Sequence, residues 1–477
     1  MDAAEPSRGR RADQNILREA PGPTGHAKRY IVRDSPLSAW ELFIDNFVLN
    51  HIRKCTLAEA DRQGNDKFCL SFEELRAFVA IFYARGVSGT NDHSVHGIWS
   101  KSWGVPCIKE IMSRNRFFEI LRYLRFDEKS SRSERLKTDK FALFSTVWDR
   151  FIDNSIASYK PGAFMTVDEQ LFPSKARCPF TQYMPDKPDS FGHKYWVAVD
   201  KDSKFIANAF LYLGKDHERP NEQRLSEYVV MKLMSPYLKK GRNVTTDNYF
   251  TSVLLANQLK AQGTSLVGTL NRIRREVPKE IRNLNEPLHS SKIYKTEGIT
   301  LTVYQAKAKK NVLLLSSLHP DVEVDLESVK KTPETVKFYN KTKVGVDIVD
   351  QMARKYTTRT CVRRWPVHCF QNTLDLAGIN AWFVYRETTC SKMSRKKFLQ
   401  KLIVELADPY VRAKKKRGLE DENSDADEPK QTKYCQIQSL CKKNRTVGSC
   451  NSCKKSLCGQ CTAVTKRKCV KCSGNEA

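Results

Sequence analysis

Eight cysteines crowd into the stretch from Cys435 to Cys472, and they constrain this chain more than any other feature. Their pattern is C-x5-C-x8-C-x2-C-x4-C-x2-C-x7-C-x2-C, with three C-x2-C pairs: Cys450/Cys453, Cys458/Cys461 and Cys469/Cys472. That spacing is the signature of zinc knuckles. A segment so poor in large apolar side chains buries too little surface to fold without a metal or a cross-link. Eight thiolates satisfy two tetrahedral Zn²⁺ ions with none left over. In a cross-brace, Cys435, Cys441, Cys458 and Cys461 hold one ion, and Cys450, Cys453, Cys469 and Cys472 the other. Sequential pairing is the rival, and spacing does not separate the two. Disulfides are the alternative only in an oxidising compartment. The N-terminal residues MDAAEPSRGRRADQ contain no apolar segment of the signal-peptide kind. No apolar run approaches the roughly 18 residues of a membrane-spanning helix. A soluble intracellular protein is therefore expected, in which clustered thiols bind metal. The seven cysteines from Cys55 to Cys390 show no ligand spacing.

Charge narrows the class of partner. The 477 residues hold 82 Lys+Arg against 54 Asp+Glu, a net +28. That excess excludes an ordinary metabolic enzyme and points to a polyanion, nucleic acid before an anionic membrane. With 40% hydrophobic residues the chain supports a real core. The cysteine module is itself basic, and Lys442, Lys443, Lys454 and Lys455 stand among its ligands as candidate phosphate contacts. A RING-like or histone-reading cross-brace is the other role for such a module, but the basicity and the missing histidine argue against it. Ala413–Arg417 (AKKKR) reads as a nuclear localisation signal or as a solvated charge run. Residues 271–279 either track a DNA backbone or form an exposed face. His93 and His96 lack ligand partners, which favours a structural role.

Periodicity divides the rest. Residues 1–28 are polar and rich in Gly, Pro and Arg, and are expected to be disordered. Ser35-Pro36 opens a helix, with Ser35 as N-cap. Ser71 and Glu74 are spaced as a capping box. Helical spacing then dominates to about residue 160. From Ala163 the texture becomes β: 164–171, 193–200 and 205–213 alternate, followed by a helix, a short strand ending at Asp247, a second helix and a strand at 265–268. Mixed α/β architecture follows. The basic segment near 270–335 contains a strand pair, 300–305 and 312–317, and reads as an insertion or exposed face. Helical pattern returns after Val344 to about Leu406. The switch from a basic run to an acidic one (420–428) reads as a linker.

Three aspartates hold chemically useful positions. Asp168 and Asp247 end strands, and Asp347 opens a helix. Cleavage of phosphodiesters with two divalent cations needs several carboxylates held rigidly, with the ions about 3.5–4 Å apart. Hard oxygen ligands select Mg²⁺ or Mn²⁺. Alone, an Asp at a strand end is more often a turn residue. The trio gains meaning beside a mixed sheet and a large positive charge.

The runs TVDEQL (166–171), TDNYFTS (246–252) and GVDIVDQM (345–352), then Arg364-Trp365-Pro366, resemble the piggyBac transposase family. So do Lys187-Pro188, Gly192–Lys194 and the terminal cysteine module. The resemblance implies a ribonuclease H-like catalytic domain with an insertion, a mostly helical N-terminal and flanking region, and a small zinc-binding module. It divides the chain into a tail (1–28), a helical dimerisation and DNA-binding region (29–160), a first catalytic part (161–269), an insertion (270–340), a last catalytic part with flanking helices (341–411), a charged linker (412–432) and the cysteine module (433–477). The N-terminal region reads as short for the family, without an acidic leader.

The implied activity is cut-and-paste DNA transposition at TTAA targets. Asp168, Asp247 and Asp347 would bind two Mg²⁺ or Mn²⁺ ions, with Asp350 one helical turn on as a supporting acid. The implied partners are double-stranded DNA (transposon terminal repeats and target) and a second copy of the chain or a higher assembly, in the nucleus. Trp365, beside Arg363 and Arg364, either stacks on an unpaired base near the cut or packs in the core. A domesticated, catalytically silent DNA-binding protein of the same descent is the competing expectation. Retention of all three acids favours catalysis.

Overall fold

The computed structural model describes residues 16–462 apart from 91–95, 101, 103, 186, 215–218, 283–285, 425–432, 439, 447 and 451–452. Two units are present, residues 1–411 and 412–477.

The first unit begins with helices α1 (Gly25–Tyr30), α2 (Pro36–Glu41), α3 (Asn46–Arg62), α4 (Phe72–Val87), α5 (Pro106–Ile111), α6 (Arg114–Tyr123), α7 (Lys129–Thr138) and α8 (Ser145–Ser158). Their apolar faces meet in an aromatic core, where Phe117 of α6 lies 4.8 and 5.7 Å from Phe78 and Phe82 of α4. Burying such a side chain contributes roughly 1.5–3 kcal/mol. Two expected caps differ in detail. Ser71 accepts the Glu74 N–H at 3.1 Å. The Glu74 carboxylate does not return the bond, because Arg116 (2.7 Å) and the Tyr410 hydroxyl (3.0 Å) take it. Ser35 donates to Glu405 at 2.8 Å and makes no cap bond.

The expected disordered tail is corrected for residues 16–28; residues 1–15 lie outside the described ones. Strand β1 (Gly22–Pro23) pairs with β2 (Tyr159–Lys160). Glu19 reaches the fully buried Arg242 at 2.5 Å. An unpaired buried guanidinium is costly, so this ion pair holds the segment down.

A nine-stranded mixed sheet forms the centre: β3 (Phe164–Pro173), β4 (Gln182–Tyr183), β5 (Phe191–Asp200), β6 (Ile206–Leu211), β7 (Asn243–Thr246), β8 (Ser265–Thr269), β9 (Ser291–Thr296), β10 (Ile299–Lys307) and β11 (Lys310–Ser316). Its order is β4-β5-β3-β7-β8-β11-β10-β9, with β6 also paired to β5. β3 runs antiparallel to β5 and parallel to β7, and β7 parallel to β8. The central parallel strand β7 is short and covered on both faces, so all four of its residues are buried. Helices α9 (Leu225–Met234) and α10 (Val253–Ala261) provide the crossovers.

Residues 270–340 do not stand apart from this sheet. After the single turn α11 (Lys279–Arg282), β9–β11 continue it through the antiparallel pairing of β11 with β8. Helices α12 (Glu334–Thr342), α13 (Gly345–Lys355), α14 (Trp365–Thr389) and α15 (Arg395–Ser424) complete the order. The expected linker at 412–432 is helical as far as Ser424. Lys, Arg and Glu are good helix formers, and helix propagation needs no apolar content.

Candidate active site and thiol cluster

Register sets the first two acids side by side. Val167 of β3 pairs with Thr246, the last residue of β7, so Asp168 and Asp247 each follow that pair. Asp168 does not end its strand as expected, because pairing with β5 carries β3 on to Pro173. Such strands lie about 4.8 Å apart. Burial first, then the negative charges of Glu169 and Asp247, push the Asp168 carboxyl well above its usual range. Asp247 is raised in the same sense by burial and Glu169. Its Oδ1 accepts the N–H of Tyr249 at 2.9 Å, a bond that fixes the direction in which it leaves the strand.

The third acid is delivered by α13, which packs on β3. Thr166 donates to the Thr342 carbonyl at 2.7 Å, and the Thr245 and Thr342 hydroxyls meet at 2.9 Å. This threonine clasp ties the α12–α13 junction to both acid-bearing strands. Gly345 completes it, since a Cβ there would come within 2.6 Å of the Thr166 hydroxyl. Asp347 follows in the first turn of α13 and is exposed. The Tyr339 hydroxyl, shielded by burial, also feels Asp247, Asp168 and Asp347, and all act to raise its pKa. One phenol thus senses all three acids.

Asp350 turns to a different neighbourhood. It accepts from Arg354 at 3.1 Å, and Arg354 also reaches Asp189 at 2.7 Å. Gln170, Asp189, Asp350 and Arg354 line a cavity of about 220 Å³. Burial raises the Asp350 carboxyl, against the pull of Arg354.

Among the described residues, one group of three or more potential ligands has all its atoms within 4.8 Å of one another, and it is made of thiols. The aspartates are more open. Acids sharing two ions need not meet at a point: with ions about 3.5–4 Å apart and oxygens at about 2.0–2.1 Å from each, ligand atoms span up to about 8 Å. Crowded carboxyls pushed toward their neutral form are a fit for divalent cations, which reverse that shift.

In the second unit the four clustered thiols are Cys435, Cys441, Cys458 and Cys461. They are the four that the cross-brace expectation groups first; sequential pairing would have joined Cys435 and Cys441 to Cys450 and Cys453. A two-stranded ribbon, β12 (Lys433–Tyr434) and β13 (Arg445–Thr446), brings Cys435 back to the Asn444 carbonyl, to which its N–H donates at 2.9 Å. Four sulfurs so close fit a tetrahedral metal site. Cys450 is buried and Cys453 exposed, while Cys469 and Cys472 lie outside the described residues. Lys442, Lys443, Lys454 and Lys455 are all exposed.

Known proteins resemble this chain in sequence and in fold. The Transposase IS4 family profile matches residues 35–382. A piggyBac transposase chain, solved by cryo-EM in a synaptic complex with hairpin DNA, superposes with a TM-score of 0.78 at 31% identity. That match covers 95% of this chain and all of the other. The chain belongs to the piggyBac transposase family. Human piggyBac transposable element-derived proteins 2 and 3 are each 23% identical over 376 and 379 residues. Those alignments take in 74% and 75% of this chain but 62% of each relative's length.

Arg363, Arg364 and Trp365 share one cavity with three further arginines. Arg125, Arg132, Arg177, Arg363, Arg364 and Trp365 line a cavity of about 290 Å³. Arg364 donates to the carbonyls of Leu121 and Leu124, so its guanidinium holds the end of α6. Arg363 is exposed. Trp365 is half-buried, stacked on Phe141 at 5.8 Å and edge-on to Phe180 at 5.0 Å. The threonine clasp escaped sequence reasoning because Thr166 and Thr245 lie 176 and 97 residues from Thr342 along the chain. Glu169 and Lys194 were inside the piggyBac motifs, and their charged side chains in a strand were the available signal.

Proposed function

We propose that this protein is a cut-and-paste DNA transposase acting on TTAA targets. The observation that carries the reading is that Asp168 and Asp247 follow a paired position of two adjacent parallel strands, while Asp347 lies on α13, which packs on β3 and follows the Thr342 clasp to both strands. The order β6-β5-β3-β7-β8, antiparallel then parallel, supports a ribonuclease H-like core, with β9–β11 as the insertion's contribution. Two Mg²⁺ or Mn²⁺ ions held by Asp168, Asp247 and Asp347 would supply nucleophile activation and leaving-group stabilisation. Asp350, paired with Arg354, braces α13. Lys194, whose side chain lies near Asp168, Asp247 and Glu169, offers a positive charge to the phosphate. Cys435, Cys441, Cys458 and Cys461 would hold one Zn²⁺, and Cys450, Cys453, Cys469 and Cys472 a second. The basic module then contacts DNA at the transposon ends through Lys442, Lys443, Lys454 and Lys455. Arg363 and Trp365 serve the DNA near the cut. A dimer or larger assembly in the nucleus suits a reaction that joins two ends, as does the synaptic complex of the solved relative.

A DNA-binding protein that no longer cleaves is the second reading, favoured by the human relatives named as transposable element-derived. A plasmid excision assay with the element's own flanking DNA separates the two. Asp168→Asn, Asp247→Asn and Asp347→Asn should each abolish excision and leave gel-shift affinity unchanged. Wild-type-like excision in any one removes the metal assignment. A wild-type chain that binds the ends without excising them establishes the second reading.

A further inference from the structure

The loop after β7 presents an aromatic ring to solvent beside the acids. Tyr249 is 42% exposed, whereas Phe250 next to it is fully buried. One face of Tyr249 is already covered: it stacks on Trp196 with centroids 5.8 Å apart and planes 12° from parallel. Trp196 is 1% exposed and is wedged edge-on by Phe250 (5.4 Å) and Tyr212 (5.9 Å). The Lys194 ammonium sits 4.0 Å from the Trp196 centroid and 5.6 Å from that of Tyr249. The backbone beneath is pinned as well. The Tyr249 N–H donates to Asp247, the Thr251 N–H donates to the Asp247 carbonyl at 3.1 Å, and Arg274 donates to the Tyr249 carbonyl at 2.7 Å.

This is a rigid two-layer shelf with an open outer face, two residues from Asp247 and flanked by a cation. A ligand that fits it has a flat π-system joined to a negative charge, which describes a nucleotide. We propose that Tyr249 is a positioning residue on which a nucleobase flanking the cleaved phosphodiester stacks, with Trp196 and Lys194 backing the ring. The proposal rests on the DNA-cleavage reading above and extends it to one residue that reading leaves unused. Stacking on one ring is sequence-tolerant, because every base has a π-face.

The test uses the full-length zinc-loaded protein and a short duplex bearing a single-stranded TTAA overhang, with 2-aminopurine at each overhang adenine in turn. Ca²⁺ replaces Mg²⁺ so that binding is read without cleavage. Wild type should quench the fluorophore at one position. Tyr249→Ala should lose the quench and bind about fivefold more weakly or worse. Tyr249→Leu still covers Trp196 but has no flat face, and should behave like Tyr249→Ala; Tyr249→Trp should restore both readouts. Unaltered quenching in the Ala and Leu variants, or no quenching by wild type at any position, overturns the shelf. Failure of the cleavage reading looks different: no nicking in Mn²⁺, with the wild-type quench intact.

Discussion

Gly345 acts through the side chain it lacks. The threonine clasp leaves no room beside Thr166, so Gly345→Ala forces α13 outward or bends β3. Overpacking of this kind costs about 1–3 kcal/mol, to be read as a lowered midpoint in urea unfolding. The same shift moves Asp347, so excision should fall further than stability does. Asp375 of α14 carries a separate prediction. It is buried, accepts from Thr357 (2.7 Å) and the Thr358 N–H (2.8 Å), and burial pushes its pKa up to about 7. The native chain therefore keeps a proton that the unfolded chain releases near pH 4. Stability from this group is fully present below about pH 4 and is lost as pH rises toward 7. Asp375→Asn should flatten the melting temperature across that window; an unchanged pH profile would show that the carboxyl is already ionised. At this scale Asp168 lies inside β3 and not at its end, since the pairing with β5 carries that strand on to Pro173, whereas Asp247 was readable because it directly follows the last residue of β7. Thr342 was not, since nothing local distinguishes a threonine that clasps from one that caps.

Elements were legible where burial is one-sided or complete. β3, β5 and β8 carry β-branched and aromatic residues at alternating or continuous buried positions, and they fold where their periodicity predicts. β9 does not announce itself: Ser291–Thr296 is an edge strand with mostly exposed side chains, and Lys292 and Lys295 protect it from further pairing. The cysteine module has the clearest sequence signal and too small a core to fold alone. We expect about two zinc ions per chain by metal analysis, and chelation should unfold this module while leaving the melting of the first unit in place. A zinc content near zero would remove the knuckle assignment. Truncation after Leu419 should weaken gel-shift affinity for end DNA, and undiminished affinity would take the module out of recognition.

For the molecule as a whole, the net charge of +28 sets an electrostatic prediction. The logarithm of duplex affinity should fall linearly with that of salt, by about 0.9 for each phosphate neutralised. Loss of the module should make that slope shallower, whereas a salt-independent affinity would mean that recognition is not electrostatic. Among the described residues no helix is long and apolar enough to cross a membrane. Composition, thiol spacing and local periodicity determined a basic mixed α/β protein with a terminal cysteine module spaced to hold metal, because each is set by near neighbours along the chain. Only the tertiary structure decided that β9–β11 extend the central sheet, that Cys435 and Cys441 join Cys458 and Cys461, and that Asp347 returns to strands bearing Asp168 and Asp247. Those choices depend on which distant surfaces bury one another, and that energy has no local signature.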